Sequence, residues 1–182
     1  MIELQSEKSS IKVFFAIWPD SHVKAQLGRL AGNLEHLCGG YRTHSLKLHL
    51  TLVFLGNILT TQLAHVQDIA SQIKLPCFSL IIDTIEYWAH NKIVYAGFSD
   101  NPVVLIELVK QLQDDLQRAG FKLEQRLYIP HLTLVRNAAC HQLPKLKTPI
   151  RWNINEWMLI QSVATRAGTA YSQLDSWKLT VK

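Results

Sequence analysis

The tetrapeptide His-Leu-Thr-Leu occurs twice in this chain of 182 residues, starting at His49 and again 82 positions later at His131. Each copy lies in an apolar stretch typical of a β-strand, where residues i and i+2 point to the same face. In the first copy, His49 and Thr51 therefore share a face. In the second copy, His131 and Thr133 do the same. Two such pairs facing each other would form an acid–base site with hydrogen-bond donors for an anion.

Imidazole is suited to moving protons because its pKa lies near neutrality. Cleavage at phosphorus requires one proton to be taken from the attacking oxygen and another to be given to the leaving oxygen. His49 and His131 are therefore predicted to be the catalytic acid–base pair. The hydroxyls of Thr51 and Thr133 are predicted to donate to the non-bridging phosphate oxygens, where negative charge accumulates. The other six histidines are interpreted as surface or core residues.

The surroundings of the two copies argue against a metal. Zinc takes three or four His, Cys or carboxylate ligands, whereas each tetrapeptide offers one good ligand. No acidic residue lies between Glu35 and Asp68, around the first copy, and none lies between Glu124 and Glu156, around the second. We interpret these windows as a cleft that phosphate can approach, although chance remains an alternative in a chain with 14 acidic residues. Neither a metal nor another cofactor is predicted.

An internal repeat relates the two copies to each other. The run that starts at Lys12 aligns with the run that starts at Lys92 at an offset of 80, with Lys, Ala, Asp and Val in common. Each half then predicts a strand, a helix, a connector and a strand that carries His-x-Thr. The chain is predicted to be one two-lobed domain over residues 1–182, with a repeat roughly over 12–57 and 92–137. The two tetrapeptides would then lie across a pseudo-two-fold axis.

Strand and helix signals place these motifs on a mixed framework. Apolar runs predict strands over residues 13–18, 46–55, 78–88, 93–98, 128–135, 157–164 and 171–181. Spacing and capping residues predict helices from 20 or 21 to about 36, from 60 or 61 to about 73, and from 102 to 119, the last capped by Asp100 or Asn101. Residues 165–168 are predicted to form a loop over the site. Regular βαβ alternation is missing, so the predicted class is α+β with antiparallel sheets.

Composition limits the broad class of the protein. An apolar fraction of 48% and a charged fraction of 18% are typical of a folded domain, and a net charge of +5 is compatible with a polyanionic partner. We expect no membrane segment and no signal peptide, because no apolar run approaches the ~20 residues that span a bilayer. Three cysteines without CxxC spacing predict neither a disulfide framework nor a zinc site. The expected protein is cytoplasmic and monomeric, without an obligate protein partner.

The motifs and their flanks resemble the RNA 2′,3′-cyclic phosphodiesterase family, also called the 2′-5′ RNA ligase family, within the two-histidine phosphoesterase superfamily. The resemblance covers most of the chain. It rests on the opening Val-Phe-Phe-Ala-Ile-Trp-Pro, on the first motif with its Phe-Leu-Gly tail, on the second motif with its preceding proline and trailing arginine, and on the closing Gly168-x-x-Tyr171.

The resemblance implies a bilobal fold of two antiparallel sheets flanked by helices, with both motifs facing a central cleft. It implies hydrolysis of a terminal 2′,3′-cyclic phosphate on RNA, or on a related nucleotide, to a 2′-phosphomonoester without a cofactor. Some members also join RNA ends through a 2′-5′ linkage, which reverses cleavage of such a bond. By the family pattern, His49 and His131 exchange protons while Thr51 and Thr133 hold the phosphate oxygens.

Three further residues are candidates for the site. Arg136 matches the phosphate-binding arginine of the family, but its offset of five from His131 places it on the opposite strand face unless the strand bends or ends near Val135. Phe54 and Trp88 are candidates for stacking on a nucleobase, with a place in the core as the alternative. The sequence does not distinguish which histidine is the base.

Three alternative functions stay open at this point. The same fold can act on a small cyclic nucleotide or on ADP-ribose cyclic phosphate. A non-catalytic RNA-binding module would grip phosphate with the same strands, giving tight, salt-sensitive binding without turnover. A metallohydrolase would lose its activity in a chelator.

Overall fold

The computed structural model describes residues 9–100, 102–166 and 168–180. Short 3₁₀ turns occupy Ser45–Lys47 and Thr60–Gln62. The strands and α-helices of the described ranges are, in chain order, β1 Ser10–Ile17, α1 Ser21–Cys38, β2 Tyr41–Arg42, β3 Leu50–Leu59, α2 Leu63–Ser71, β4 Phe78–Ile82, β5 Thr84–Trp88, β6 Ile93–Gly97, α3 Val103–Arg118, β7 Leu132–Arg136, β8 Ile150–Ile154, β9 Glu156–Thr165 and β10 Gly168–Lys178.

Two four-stranded antiparallel sheets dominate the fold, in the orders β10-β9-β1-β3 and β2-β7-β6-β5, and β4 pairs with β8 in a small third sheet. The predicted α+β class with two antiparallel sheets flanked by helices is confirmed. The strand of the first tetrapeptide, β3, forms the edge of one sheet. The strand of the second, β7, lies inside the other sheet between β2 and β6. The duplication of the two halves stays a prediction.

The helices pack on the sheets through apolar stripes. The buried side chains recur every three or four residues, as a helix that covers a sheet requires. They are Val23, Leu27, Ala31 and Leu34 in α1, and Leu105, Leu108, Leu112 and Leu116 in α3. Among the described helices, none is both long and apolar enough to cross a membrane.

The predicted start of the first helix is confirmed in detail. The carboxylate of Asp20 accepts a hydrogen bond of 2.9 Å from the backbone N–H of Val23, as an N-cap does. The start of α3 differs from the prediction, because Pro102 is the residue before the helix and makes no side-chain cap bond. Of the two residues predicted to cap α3, Asn101 lies outside the described residues.

Several strand boundaries were wrong for local reasons. The strand predicted over 46–55 begins only at Leu50, because Ser45–Lys47 form a 3₁₀ turn, and it extends to Leu59. The strand predicted over 78–88 is interrupted at Asp83, and its halves β4 and β5 join different sheets. The predictions missed β2, which has only two residues. They also missed β8, although apolar and polar residues alternate strictly along it, as is typical of a strand.

A disulfide bond links Cys38, the last residue of α1, to Cys140, which follows β7. The expectation of no disulfide was therefore wrong. The two residues are 102 positions apart, but the fold brings their Cα atoms to 4.6 Å, and Ala139 donates a backbone hydrogen bond of 2.8 Å to the carbonyl of Cys38. The third cysteine, Cys77, is an exposed free thiol.

Candidate active site

Both motif histidines are held by the same hydrogen bond. Nδ1 of His49 lies 2.7 Å from the carbonyl oxygen of Lys47, and Nδ1 of His131 lies 2.8 Å from that of Ile129. A carbonyl oxygen only accepts hydrogen bonds, so Nδ1 carries the proton in both rings. Nε2 of each ring is therefore the nitrogen that exchanges a proton with a substrate. It acts as a base in the neutral ring and as an acid in the protonated ring.

A β-bulge follows each histidine at the same position of the repeated tetrapeptide. The pairing of β3 with β1 shifts register at Leu52, and the pairing of β7 with β6 shifts register at Leu134. Each of these leucines is the fourth residue of its tetrapeptide. Because one extra residue reverses the alternation of faces, the residue five positions after each histidine returns to the face of the histidine and the threonine. These residues are Phe54 and Arg136.

The bulge explains how Arg136 reaches the cleft. Strict alternation would place its side chain on the opposite face of β7 unless the strand bends, and the bulge at Leu134 is such an irregularity. Burial lowers the pKa of His49 and of His131, and the positive charge of Arg136 adds to this effect. Burial raises the pKa of Tyr171 in β10, and the charge of Arg136 opposes that rise. Arg136 therefore acts electrostatically on both catalytic candidates and on Tyr171 in the other sheet.

Aromatic rings surround His49. The indole of Trp18 is stacked on the imidazole, with ring centroids 4.7 Å apart and planes 15° apart. Phe14 lies at 5.2 Å, and Tyr171 presents its edge at 5.3 Å. Burial in this cluster lowers the pKa of His49 to about 4, against the opposing effect of the bond to Lys47, and the charges of Arg136 and His131 lower it further.

The surroundings of His131 are different. Trp88 contacts the imidazole at an interplanar angle of 69°, with centroids 4.6 Å apart, and Tyr95 meets it edge-on at 5.7 Å. Burial lowers the pKa of His131, and the charges of Arg126 and Arg136 add to this effect. Trp88, a candidate for base stacking, thus forms part of the wall that holds His131.

The other candidates from the sequence also lie at the cleft. Thr51 and Thr133 are half-buried on the faces that carry the histidines. The ring of Phe54 is 44% exposed, with Lys12 Nζ 5.9 Å from its centroid. The loop predicted over residues 165–168 is wrong at its ends, because Thr165 is the last residue of β9 and pairs with Gly168, the first residue of β10. Within it, Ala167 lies outside the described residues.

Three residues of the site were not identified from the sequence. Trp18 and Tyr171 contact His49, as described above. Tyr128 donates a hydrogen bond of 2.9 Å to the carbonyl oxygen of Thr51, so it connects the approach to the second motif with the first motif strand. Trp18 had a usable signal, since it continues the i, i+2 series of Phe14 and Ala16 on the face of β1 that turns to the cleft. Tyr171 and Tyr128 lie far from the first motif in sequence, and no spacing rule connects them with it.

The described ranges contain no group of three or more His, Cys, Asp or Glu side chains that could hold a metal ion. The metallohydrolase alternative therefore lacks a ligand cluster within these ranges.

Comparison with known proteins shows that this chain is similar to phosphoesterases. The family model described as LigT like Phosphoesterase matches residues 17–95 and 99–171. An RNA 2′,3′-cyclic phosphodiesterase of Escherichia coli strain K12 is 28% identical over 172 residues, which cover 93% of this chain and 97% of that protein. One of Methanocaldococcus jannaschii is 24% identical over 177 residues, which cover 92% and 100%. The crystal structure of E. coli LigT complexed with 3′-AMP superposes with a TM-score of 0.88 at 28% identity, covering 94% of this chain and 99% of that one.

Proposed function

The chain belongs to the family of LigT-like phosphoesterases, and from this premise we propose that it opens the terminal 2′,3′-cyclic phosphate of RNA to a 2′-phosphomonoester. The observation that carries the proposal is the pair of imidazoles with Nδ1 bonded to a backbone carbonyl and Nε2 left for proton exchange. The names of the bacterial and archaeal relatives support the same reaction.

The reaction needs two proton transfers on opposite sides of phosphorus. Nε2 of one neutral imidazole removes a proton from water, and the water oxygen attacks phosphorus. The bond from phosphorus to the 3′ oxygen breaks, and the protonated Nε2 of the other imidazole gives its proton to that oxygen. The phosphate then remains on the 2′ oxygen, and proton transfer of this kind contributes about 10²–10⁴-fold to the rate.

Three side chains stabilise the charge that builds on the non-bridging oxygens. The hydroxyls of Thr51 and Thr133 donate from the two strand faces, and the guanidinium of Arg136 supplies a positive charge between the sheets. These donors are fixed before the reaction begins, so they stabilise the transition state without having to reorganise. The same groups would serve 2′-5′ ligation, in which the 5′-hydroxyl of a second RNA end takes the place of water. Its oxygen gives up its proton and attacks phosphorus, the bond from phosphorus to the 3′ oxygen breaks, and the 3′ oxygen is protonated.

The nucleobase next to the cyclic phosphate stacks on Phe54. Its ring is exposed and shares the strand face of His49 and Thr51 because of the bulge at Leu52. Stacking on an aromatic ring tolerates every base and contributes about 1–3 kcal/mol. Trp88 is less suited to this role, because it packs 4.2 Å from Tyr95 and against His131.

A small cyclic nucleotide is the second candidate substrate. The crystal structure of E. coli LigT with 3′-AMP supports it, since a mononucleotide binds to that related protein. RNA remains our first choice because the relatives are named for it and the chain has a net charge of +5. The cytoplasmic location and the monomeric state stay predictions.

One experiment separates these possibilities. A cyclic-phosphate-ended RNA oligonucleotide and a 2′,3′-cyclic mononucleotide are incubated with the protein, with and without EDTA, and the end group of each product is identified. We expect a 2′-phosphate end on the oligonucleotide, formed at the same rate in EDTA. Faster turnover of the mononucleotide would favour the second candidate. Salt-sensitive binding without turnover, or loss of activity in EDTA, would contradict the proposal.

A further inference from the structure

One 3₁₀ turn holds both His49 and Trp18 through consecutive carbonyl groups. The turn Ser45–Lys47 lies directly before the first motif. The carbonyl of Leu46 accepts a hydrogen bond of 3.2 Å from the indole Nε1–H of Trp18. The next carbonyl, that of Lys47, accepts the bond from Nδ1 of His49. The indole and the imidazole are thus attached to neighbouring points of the same turn.

The two contacts restrict the imidazole in different ways. A hydrogen bond at Nδ1 fixes one atom of the ring but leaves it free to rotate about the line of that bond. The stacked indole, with planes only 15° apart, removes this rotation. Together the two contacts determine where Nε2 points, which is the atom that exchanges the proton.

Trp18 also lines a polar cavity that His49 does not line. This cavity, of about 200 Å³, lies between the end of β1 and the turn from β8 to β9. Its charged lining residues are Asp20, Lys24 and Glu156. Trp18 is thus in contact both with the imidazole of His49 and with a polar space large enough for water.

We propose that Trp18 is the positioning residue of His49, which holds the plane of the imidazole and keeps water from its inner face. The proposal rests on the proposed function, since it assigns Trp18 to the proton transfer that His49 performs. It concerns one half of the site only. Within the part of the chain that the structure describes, no ring is stacked on the face of His131, because both Trp88 and Tyr95 approach it edge-on.

Removal of the indole has two expected consequences. The imidazole of Trp18→Leu rotates about its remaining hydrogen bond, and displacement of a catalytic group by about 1 Å costs up to about 100-fold in rate. Water from the polar cavity also reaches His49. Because burial is the main cause of its low pKa, the pKa rises from about 4 towards the ordinary value of a histidine. The other groups that act on this imidazole, which are the carbonyl of Lys47, Arg136 and His131, are unchanged.

The test measures both consequences separately. Histidine pKa values are determined by NMR without substrate, and kcat and KM are determined on a cyclic-phosphate-ended RNA, for Trp18→Leu and Trp18→Phe. We expect Trp18→Leu to lower kcat by about 10- to 100-fold with little change in KM and to raise the pKa of His49 alone. Trp18→Phe keeps a stacked ring but loses the bond to Leu46, so its effect on both quantities should be smaller and in the same direction.

Trp88→Leu is the matched control, since it removes the indole beside His131 and should change the pKa of His131 but not that of His49. The proposal is overturned if Trp18→Leu keeps the kcat and the His49 pKa of the wild type. It is also overturned if both histidines shift together with a fall in Tm, which a merely structural role predicts. Where Trp18→Leu does not fold, Trp18→Phe decides by the same two criteria. Should the wild type not cleave cyclic phosphate, the proposed function fails, while the NMR measurement still tests the contact.

Discussion

The two halves of the cleft are alike in their proton chemistry and differ in what surrounds it. Each half has an imidazole bonded through Nδ1 to the carbonyl two residues before it, and each has a bulge at the fourth residue of the tetrapeptide. The residue that each bulge turns into the cleft is Phe54 in one half and Arg136 in the other. The proposed function accordingly assigns base binding to this position in one half and phosphate binding to it in the other.

The largest effect on activity is expected from removing the histidine that each half of the site contains. His49→Ala and His131→Ala should each lower kcat by about 10²–10⁴-fold, because each removes one of the two proton transfers. The double variant should be little worse than either single one, since the residues act as a unit. His22→Ala, at an exposed histidine in α1, is the control for general effects. Full activity in either single variant, measured with a folded protein by circular dichroism, would contradict the mechanism.

The next largest effect on activity is expected from replacing Arg136, the residue that distinguishes the second half. Arg136→Met should lower kcat/KM by about 10²–10³-fold, the typical cost of losing one donor to a developing oxyanion. Arg136→Lys should recover part of the loss, because it restores the charge without the guanidinium geometry. Equal activity of the Met and Lys variants would show that charge is not what Arg136 contributes.

The variant Arg136→Met should also change the pH dependence of kcat/KM. The acid must be protonated and the base neutral in the free enzyme, and burial lowers the pKa of both histidines below their ordinary value. The bell-shaped profile of kcat/KM should therefore have its maximum on the acidic side of pH 6.5, the ordinary pKa of histidine. Arg136 lowers both pKa values by its charge, so Arg136→Met should move the maximum to higher pH. A maximum that stays in place would contradict the placement of the guanidinium.

The disulfide is a further difference between the surroundings of the two motif strands. It ties the segment after Arg136 to the end of α1, whereas no disulfide holds the first motif strand within the described ranges. Cys140→Ser should lower the free energy of unfolding by about 2–4 kcal/mol, because a long loop is no longer closed in the unfolded chain. Urea denaturation measures this loss, with Cys77→Ser as the control at the exposed thiol. Equal stability of the two serine variants would contradict the cross-link.

How much of the fold and of the site can be predicted from the sequence depends on how far apart in the sequence the interacting residues are. The histidines and threonines were predicted as site residues because the tetrapeptide is repeated, and the helix cap at Asp20 was predicted because it is a local interaction. The face of Arg136 depended on whether the strand bends, because nothing in His-Leu-Thr-Leu marks the bulge that changes the alternation. The partner of Cys38 and the contact of Tyr128 with Thr51 depend on tertiary packing between segments far apart in sequence.

A smaller effect is expected from the residue that distinguishes the first half. Phe54→Leu should raise KM for an RNA substrate, with little change in kcat, by an amount that corresponds to the loss of about 1–3 kcal/mol of stacking. Phe54→Tyr keeps an aromatic face and should restore the wild-type KM. Because the ring is exposed, neither change should unfold the protein. If the leucine variant lowers kcat and leaves KM unchanged, the ring does not bind the base.

The smallest effect on activity is expected from removing the hydrogen bond between Tyr128 and Thr51, which joins the two halves of the site. Tyr128, which precedes the second motif, donates its hydroxyl hydrogen to the carbonyl of Thr51 in the first. Burial raises the pKa of Tyr128, so the hydroxyl keeps this proton throughout the working range of the enzyme. Tyr128→Phe preserves the packed ring and removes one hydrogen bond, worth about 0.5–1.5 kcal/mol. If the bond sets the distance between the two catalytic groups, kcat should fall several-fold while the pKa values of both histidines stay the same. A fall in Tm with unchanged kcat would instead mean that the two halves are held in register by the sheets alone.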